Sequence, residues 1–172
     1  MSLRPILIHP DPRLRKTAEP VAVVDDAVRT LVADMLDTMY DAPGIGLAAT
    51  QLGVMKRVFV MDCAGKDEEP APMALINPEI LWRSEETVVS EEGCLSIPDV
   101  YEDVTRAAQV RLGWTDLDGE RREAEFGERW AICAQHEIDH LDGKLFIDYL
   151  GAVRRALITS RMKKLKREKA RA

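Results

Sequence analysis

The stretch QHEIDHL, residues 135–141, decides the fold and the chemistry because it places two histidines four residues apart. The pattern over 128–141 predicts a helix. In a helix, this spacing stacks the imidazoles of His136 and His140 on one face, about one turn apart. Glu137 lies about 100° round the helix from His136. This HExxH pattern predicts a divalent metal held by two imidazoles, with Glu137 as the general base that reaches a water on the metal.

Spacing alone does not identify the third metal ligand. A catalytic metal usually takes three protein ligands and leaves one position for water. Cys94 is the preferred candidate, because a thiolate is a strong ligand for a borderline-soft cation. Cys133 competes, since it lies three residues before His136, but the apolar run around it favours a place in the core or a pocket wall. Asp142 and Asp148 follow the motif and stay open as carboxylate ligands.

Two of the chain's three histidines lie in this motif, which argues against a surface helix with solvated histidines.

A second notable stretch is GIGLAATQ, residues 44–51. It lacks the GxGxxG spacing and the Lys-Ser/Thr ending of a phosphate loop. It is either a close backbone contact or a backbone wall that hydrogen-bonds an extended substrate. In the second case Gln51 would donate its amide to a developing oxyanion. The sequence alone leaves both interpretations open.

The remaining periodicities predict an α+β fold, with mostly antiparallel strands surrounding the central helix that carries HEIDH and with a C-terminal helix. Helices are predicted from Asp25 or Asp26 to Tyr40, over 128–141, and from Leu150 to Arg171. Strands are predicted at 57–63, 73–80, 86–89, 104–115 and 120–126. Asp118-Gly119 is a hairpin signal between the last two. No linker interrupts the chain, so we expect one catalytic domain over 1–172.

Composition excludes several classes of protein. Apolar residues make up 46% of the 172 and charged residues 31%, which excludes wholesale disorder. The longest apolar run has five residues, whereas a membrane span needs about 20. Three scattered cysteines do not form a disulfide framework. We see no secretory signal and expect the cytoplasm as the compartment.

Charge is concentrated at the C-terminus. The net charge is −6, yet residues 151–172 hold nine Lys or Arg and one Glu. An acidic body of this kind excludes a general binder of DNA, although the basic tail can contact a polyanion. The tail is expected to form a helix that packs on the body, chiefly along its first half, whereas the segment beyond Ser160 carries more charge than packing needs. Four apolar side chains would make the contact: Val153, Leu157, Ile158 and Leu165.

Three stretches together resemble the signature motifs of peptide deformylases. They are GIGLAATQ at 44–51, EGCLS at 92–96 and QHEIDHL at 135–141, in the family order and at family-like separations. The C-terminal helix is similar to that of the bacterial class with a helical tail. The resemblance implies hydrolysis of the N-formyl group of formyl-methionyl peptides, the N-termini of newly synthesised polypeptides, to formate and a free methionine.

The resemblance also implies a ligand set and a mechanism. The metal ligands would be Cys94, His136 and His140. The usual metal of the family is Fe(II), and zinc or nickel can replace it in purified protein. A metal-bound water would attack the formyl carbon, with Glu137 as general acid and base. A small site round the metal would reject an acetyl group by steric exclusion.

Further roles follow from the same resemblance. Gln51 and the backbone N–H of Leu95 would hold the tetrahedral oxyanion. Gly46 would pair its backbone with the peptide. The methionine pocket would be formed by three side chains: Ile45, Ile132 and Cys133. The basic C-terminal helix would contact the ribosome, where such enzymes meet nascent chains.

Three other functions are compatible with parts of the sequence. The first is a metalloprotease. The complete motifs at 44–51 and 92–96 argue against it, and so does the lack of a histidine after His140 that could serve as a third ligand. The second is a structural zinc module or a ribosome-associated binding protein with a dead site, which we would expect to have lost Glu137 or Cys94. The third is a related deacylase with another acyl preference, which only a comparison of acyl groups would separate.

Overall fold

The computed structural model describes residues 2–172, and these form two antiparallel sheets and three α-helices. The helices are α1 (Asp26–Asp41), α2 (Glu128–Leu141) and α3 (Ala152–Arg171). The strands are β1 (Gly46–Ala48), β2 (Val58–Met61), β3 (Met73–Arg83), β4 (Thr87–Cys94), β5 (Ile97–Ala107), β6 (Gln109–Thr115) and β7 (Arg121–Gly127). The predicted α+β class is therefore confirmed. None of the helices in the described part of the chain combines the length and apolarity that crossing a membrane requires.

The five-stranded sheet has the order β1-β2-β3-β6-β7, and β4 and β5 form a separate two-stranded ribbon. The sequence predicted one strand over 104–115, which is wrong. The chain changes sheets at Ala108, whose N–H donates to the carbonyl of Glu86. Residues before it pair with β4, and residues after it pair with β3 and β7. A continuous β-pattern does not reveal such a change of partner, because both halves satisfy the same alternation.

Helix α2 lies centrally and begins and ends as predicted. Its apolar face joins the main core, which contains Ala131, Ala134, Ile138 and Leu141 of the helix together with Phe59, Leu75 and Leu112 of the large sheet. Gln135 attaches the helix to the ribbon, because its side chain accepts from the N–H of Ala107 and donates to its carbonyl. Packing on both sheets thus holds the histidine-bearing helix in a defined orientation.

A glycine is required where α2 ends. Gly143 has a φ of +75°, which L side chains rarely adopt. A Cβ there would lie 2.5 Å from the carbonyl oxygen of Arg15. The tight turn brings the following 3-10 segment, Phe146–Tyr149, back beside the helix.

The C-terminal helix packs through a narrower stripe than predicted. Ile158 and Met162 are buried, and Leu165 is partly buried against them. Val153 and Leu157 are 77% and 59% exposed, so the expectation that they pack on the body is wrong. The buried side chains follow i, i+4 and i+7 spacing, which defines one face, and Val153 and Leu157 fall outside it.

Candidate metal centre and active site

Three ligand atoms from distant parts of the chain converge at the end of β4. The Sγ of Cys94 lies 3.3 Å from Nε2 of His140, and the two Nε2 atoms of His136 and His140 are 3.2 Å apart. All three candidate ligand atoms lie within 4.8 Å of one another. Both histidines are buried on α2, whereas Cys94 arrives from a strand 42 residues earlier. The tertiary fold thus joins the three residues that the sequence singled out.

The donor set fits a four-coordinate metal. Zinc binds imidazole nitrogen at about 2.0–2.1 Å and thiolate sulfur at about 2.3 Å, which in a tetrahedron places neighbouring donors about 3.3–3.6 Å apart. The observed separations of 3.2 and 3.3 Å agree with that spacing. One thiolate and two imidazoles suit a borderline divalent ion such as iron, zinc or nickel. The residues present therefore fit a metal.

The competing ligand candidates lie elsewhere. The carboxylate of Asp142 accepts from Arg57 at 3.0 Å, and that of Asp148 accepts twice from Arg15. Cys133 is not in the donor cluster, and its Sγ lies 3.7 Å from the carbonyl oxygen of Ile45. Hydrogen bonding to Cys63 and burial both raise the pKa of the Cys133 thiol. Cys133 is therefore placed in the cavity wall.

Glu92 contacts His136 through Nδ1, the ring nitrogen that does not face the other donors. Its Oε1 lies 2.9 Å from Nδ1 of His136, so the imidazole turns Nε2 toward the other donors. Burial alone would raise the pKa of Glu92, but hydrogen bonds from His136 and Arg106 outweigh it and lower the pKa. Arg106 donates to both carboxylate oxygens, at 2.6 and 2.9 Å. Sequence reasoning missed Arg106, because nothing near it in the sequence marks its partner.

Glu137 is buried beside the metal donors with one free carboxylate oxygen. Its Oε1 lies 3.9 Å from Nε2 of His136, and its Oε2 has no hydrogen-bond partner among the described residues. Burial raises the pKa of Glu137 to about 7. A buried acceptor without a partner carries a free-energy cost, and such groups concentrate at functional sites.

A cavity of about 520 Å³ opens beside these groups. Its apolar wall includes Ile45, Leu95, Ile132 and Cys133. Gly46, Gln51, Cys94, His136 and Glu137 also line it. His140 is the one predicted site residue outside this lining, and it is buried behind the other donors. Tyr101 and Arg129 lie on the wall as well.

Gln51 is buried and held in one orientation. Its Oε1 accepts from the backbone N–H of Ala48 at 2.9 Å. Its Nε2 therefore faces the metal donors, where it lies 3.0 Å from Oγ of Ser96 and 3.7 Å from Sγ of Cys94. The stretch 44–51 is a short edge strand followed by a 3-10 turn, Ala49–Leu52, rather than a simple glycine-rich turn.

Comparison with known proteins agrees with this site. A sequence model of the family described as "Polypeptide deformylase" matches residues 3–156. The chain belongs to the peptide deformylase family. It is 56% identical over 167 residues to a peptide deformylase of Methylocella silvestris, which covers 95% of this chain and 85% of that protein.

Solved structures show the same family. A peptide deformylase from Legionella pneumophila has a TM-score of 0.91 and 44% identity, over 99% of each chain. One from Ehrlichia chaffeensis, in complex with actinonin, has a TM-score of 0.94 and 38% identity, over 97% of this chain and 99% of that one. This peptide deformylase is thus a hydrolase of protein biosynthesis, and its family removes the N-formyl group from nascent peptides. The alternatives of a protease and of a non-catalytic metal module lose their support.

Proposed function

We propose that this peptide deformylase hydrolyses formyl-methionyl peptides at a metal held by Cys94, His136 and His140. The observation that carries the proposal is the unpartnered, buried carboxylate oxygen of Glu137 beside three converging ligand atoms. We take the whole of 1–172 as one catalytic domain. The cytoplasm, where nascent chains begin, remains the predicted compartment.

The metal proposed is Fe(II), as the resemblance of the motifs implies, and the same donors would accept zinc or nickel. A divalent ion bound here would polarise the formyl oxygen and lower the pKa of a coordinated water. Glu92 supports this role, because its contact with Nδ1 of His136 holds the imidazole in the tautomer that leaves Nε2 free.

Glu137 moves the proton in this proposal. Its free Oε2 accepts a proton from the attacking water as the new C–O bond forms at the formyl carbon. Glu137 then gives that proton to the amide nitrogen as the C–N bond breaks, so formate and a free amine result. General acid–base catalysis of this kind contributes roughly 10²–10⁴-fold to the rate.

Two donors would hold the tetrahedral oxyanion. One is Nε2 of Gln51, whose direction is set by the hydrogen bond from Ala48. The other is the backbone N–H of Leu95, next to Cys94 in the cavity wall. Donors arranged before the reaction need no reorganisation when charge develops, and removing one costs about 3–4 kcal/mol in comparable sites.

The peptide would bind along β1. This strand lies at the edge of the large sheet and pairs on one side with β2, through Gly46 and Met61 among others. Among the described strands, none pairs with the other edge of Gly46, so an extended peptide can pair there, as in strand addition. The methionine side chain would enter the apolar part of the cavity, between Ile45, Ile132 and Cys133.

Gly46→Ala tests this arrangement. A Cβ at this position would stand 2.7 Å from Sγ of Cys133 and 2.8 Å from Oε1 of Glu137, so both must move. Because displacing a catalytic group by about 1 Å can cost 10²-fold, we expect kcat/KM to fall by roughly that factor. Gly151→Ala is the control, since no atom of residues 2–172 outside Gly151 and its two chain neighbours lies within 4 Å of a Cβ added there. Wild-type activity of Gly46→Ala would contradict the proposed crowding of Glu137.

The decisive assay measures formate release from a formyl-Met tripeptide by protein loaded anaerobically with Fe(II). Rapid release is expected from the formyl peptide, and release of acetate from the acetyl-Met peptide is expected to be slower by at least roughly 10²-fold, because the extra methyl group must fit against the metal donors. Comparable turnover of the acetyl peptide would favour a deacylase of broader specificity. No turnover with one metal bound per chain would contradict the proposal.

We further propose that α3 contacts the ribosome. Beyond its buried Met162, the helix exposes six basic side chains, and the first four of them are Lys163, Lys164, Lys166 and Arg167. Changing these four to Gln should weaken ribosome binding in a pelleting assay and reduce the slope of log K against log salt, by about one for each phosphate that the helix no longer neutralises. The control replaces four exposed lysines elsewhere: Lys16, Lys56, Lys66 and Lys144. An equal salt slope in both variants would overturn the assignment to α3.

A further inference from the structure

Asp139 lies inside the HEIDH motif, yet neither metal ligation nor proton transfer uses it. Its carboxylate is not part of the donor cluster and accepts from Nη1 of Arg106 at 2.8 Å. The Arg106 side chain is 4% exposed and is held between two carboxylates, Glu92 and Asp139. Because Glu92 also contacts Nδ1 of His136, a continuous series of hydrogen bonds joins Asp139 to a proposed metal ligand.

Tyr149 extends this series to the surface. Its hydroxyl donates to Oδ2 of Asp139 at 2.7 Å, the same oxygen that accepts from Arg106. The Arg106 guanidinium also lies over the tyrosine ring, 5.1 Å from the centroid. Tyr149 is 52% exposed and comes from the 3-10 segment that follows α2. One aromatic residue therefore contacts both partners at the outer end of the network.

We propose that Asp139 and Tyr149 are positioning residues that set the metal affinity of the site by acting on His136 through Arg106 and Glu92. The inference rests on the proposed ligation by His136. Asp139 shares the positive charge of Arg106. Without that second carboxylate, the guanidinium would be bound by Glu92 alone. Glu92 would then be a weaker acceptor for the N–H at Nδ1, and His136 a weaker donor to the metal.

Tyr149 would also influence how Arg106 is shared between Asp139 and Glu92, through its contacts with Asp139 and Arg106. Its hydroxyl donates to the same Oδ2 of Asp139 that accepts from Arg106, and its ring lies beside the guanidinium. If Tyr149 had a purely structural role, it would only hold the 3-10 segment against α2, and its loss would lower the stability of the fold without moving the donor atoms. Metal affinity and ligand-field spectra distinguish the two roles, because both respond to the donor atoms and not to stability alone.

The test measures metal affinity in the full chain, by competition between the protein and a chromogenic chelator for Zn(II), and the absorption spectrum of the Co(II)-substituted protein. The variants are Asp139→Asn, Tyr149→Phe and the two combined. The chain offers matched controls whose side-chain contacts do not involve the donor cluster. Asp34→Asn alters another buried aspartate bound by an arginine, Arg4, and Tyr40→Phe alters another tyrosine that donates to an aspartate, Asp62.

Asp139→Asn should lower Zn(II) affinity by about 10-fold, the lower end of the range for groups that hydrogen-bond a ligating histidine directly, because Asp139 acts through Arg106 and Glu92. It should also shift the Co(II) bands. Tyr149→Phe should act in the same direction but less, and it should add little to Asp139→Asn, because both act through one path. Both controls should keep wild-type affinity.

Two results would overturn the inference. The first is wild-type affinity and spectra in Tyr149→Phe or in a folded Asp139→Asn, since the proposal gives both residues a positioning role. The second is equal loss in the matched controls. Tyr149→Phe alters one exposed hydroxyl, so it gives an answer even where Asp139→Asn fails to fold. If the wild-type chain bound no metal, the proposed ligand set would fail first, whereas normal wild-type binding with unchanged variants would overturn the positioning role alone.

Discussion

Glu137→Gln is expected to lose deformylase activity by roughly 10²–10⁴-fold while keeping its metal. The amide has nearly the shape of the carboxylate but cannot accept the proton from water. Cys94, His136 and His140 are untouched, so the metal content should stay at that of the wild type. Formate release in single turnover and metal analysis on the same samples measure both quantities.

The expected signature is a lower kcat with little change in KM, because proton transfer acts in the transition state rather than in peptide binding. Glu123→Gln is a suitable control, since Glu123 is exposed on β7. Activity within a few-fold of wild type in Glu137→Gln would contradict its role as the base. Loss of metal together with activity would show that the carboxylate holds the ion instead.

Cys94→Ala is expected to lower metal affinity by more than roughly 100-fold, the largest loss typical for a residue that only hydrogen-bonds to a metal ligand. Activity should be abolished together with metal binding. It removes the one anionic donor of the three and leaves two neutral imidazoles. Dialysis against a chelator, followed by metal analysis and equilibrium competition, measures the loss.

Cys133→Ala is the matched comparison, because this second thiol lies close by but outside the donor cluster. It should retain one metal per chain, whatever it does to peptide binding. Retention of metal by Cys94→Ala together with its loss from Cys133→Ala would reverse the ligand assignment. Cys63→Ala, in the core below, should also keep its metal.

Local features of the sequence predicted the parts of the site that lie on one element. His136 and His140 are four residues apart, and a helix places such residues on one face. Helix α1 was equally predictable, because Asp25 caps it through the N–H of Val28 and its apolar residues share one face. These outcomes depend on contacts between near neighbours in the chain, which the sequence displays directly.

Other features depended on where distant segments meet. The strand predicted over 104–115 divides between two sheets at Ala108, because each half finds a different partner strand. Because the first half pairs with β4 in the two-stranded ribbon, Glu92 on β4 is placed beside His136. The buried stripe of α3 was also misjudged, since which apolar residues are covered depends on the surface beneath the helix.

The sequence by itself determined the α+β class, the helix that carries the two histidines, the position of Glu137 beside them on that helix, and the family resemblance of three motifs. Only the tertiary structure decided that Cys94 rather than Asp142, Asp148 or Cys133 completes the cluster. It also decided that Arg106 joins Glu92 to Asp139 and Tyr149. The physical reason is range: helix periodicity follows from neighbouring residues, whereas a ligand set drawn from β4 and α2 exists only when the core packs those elements together.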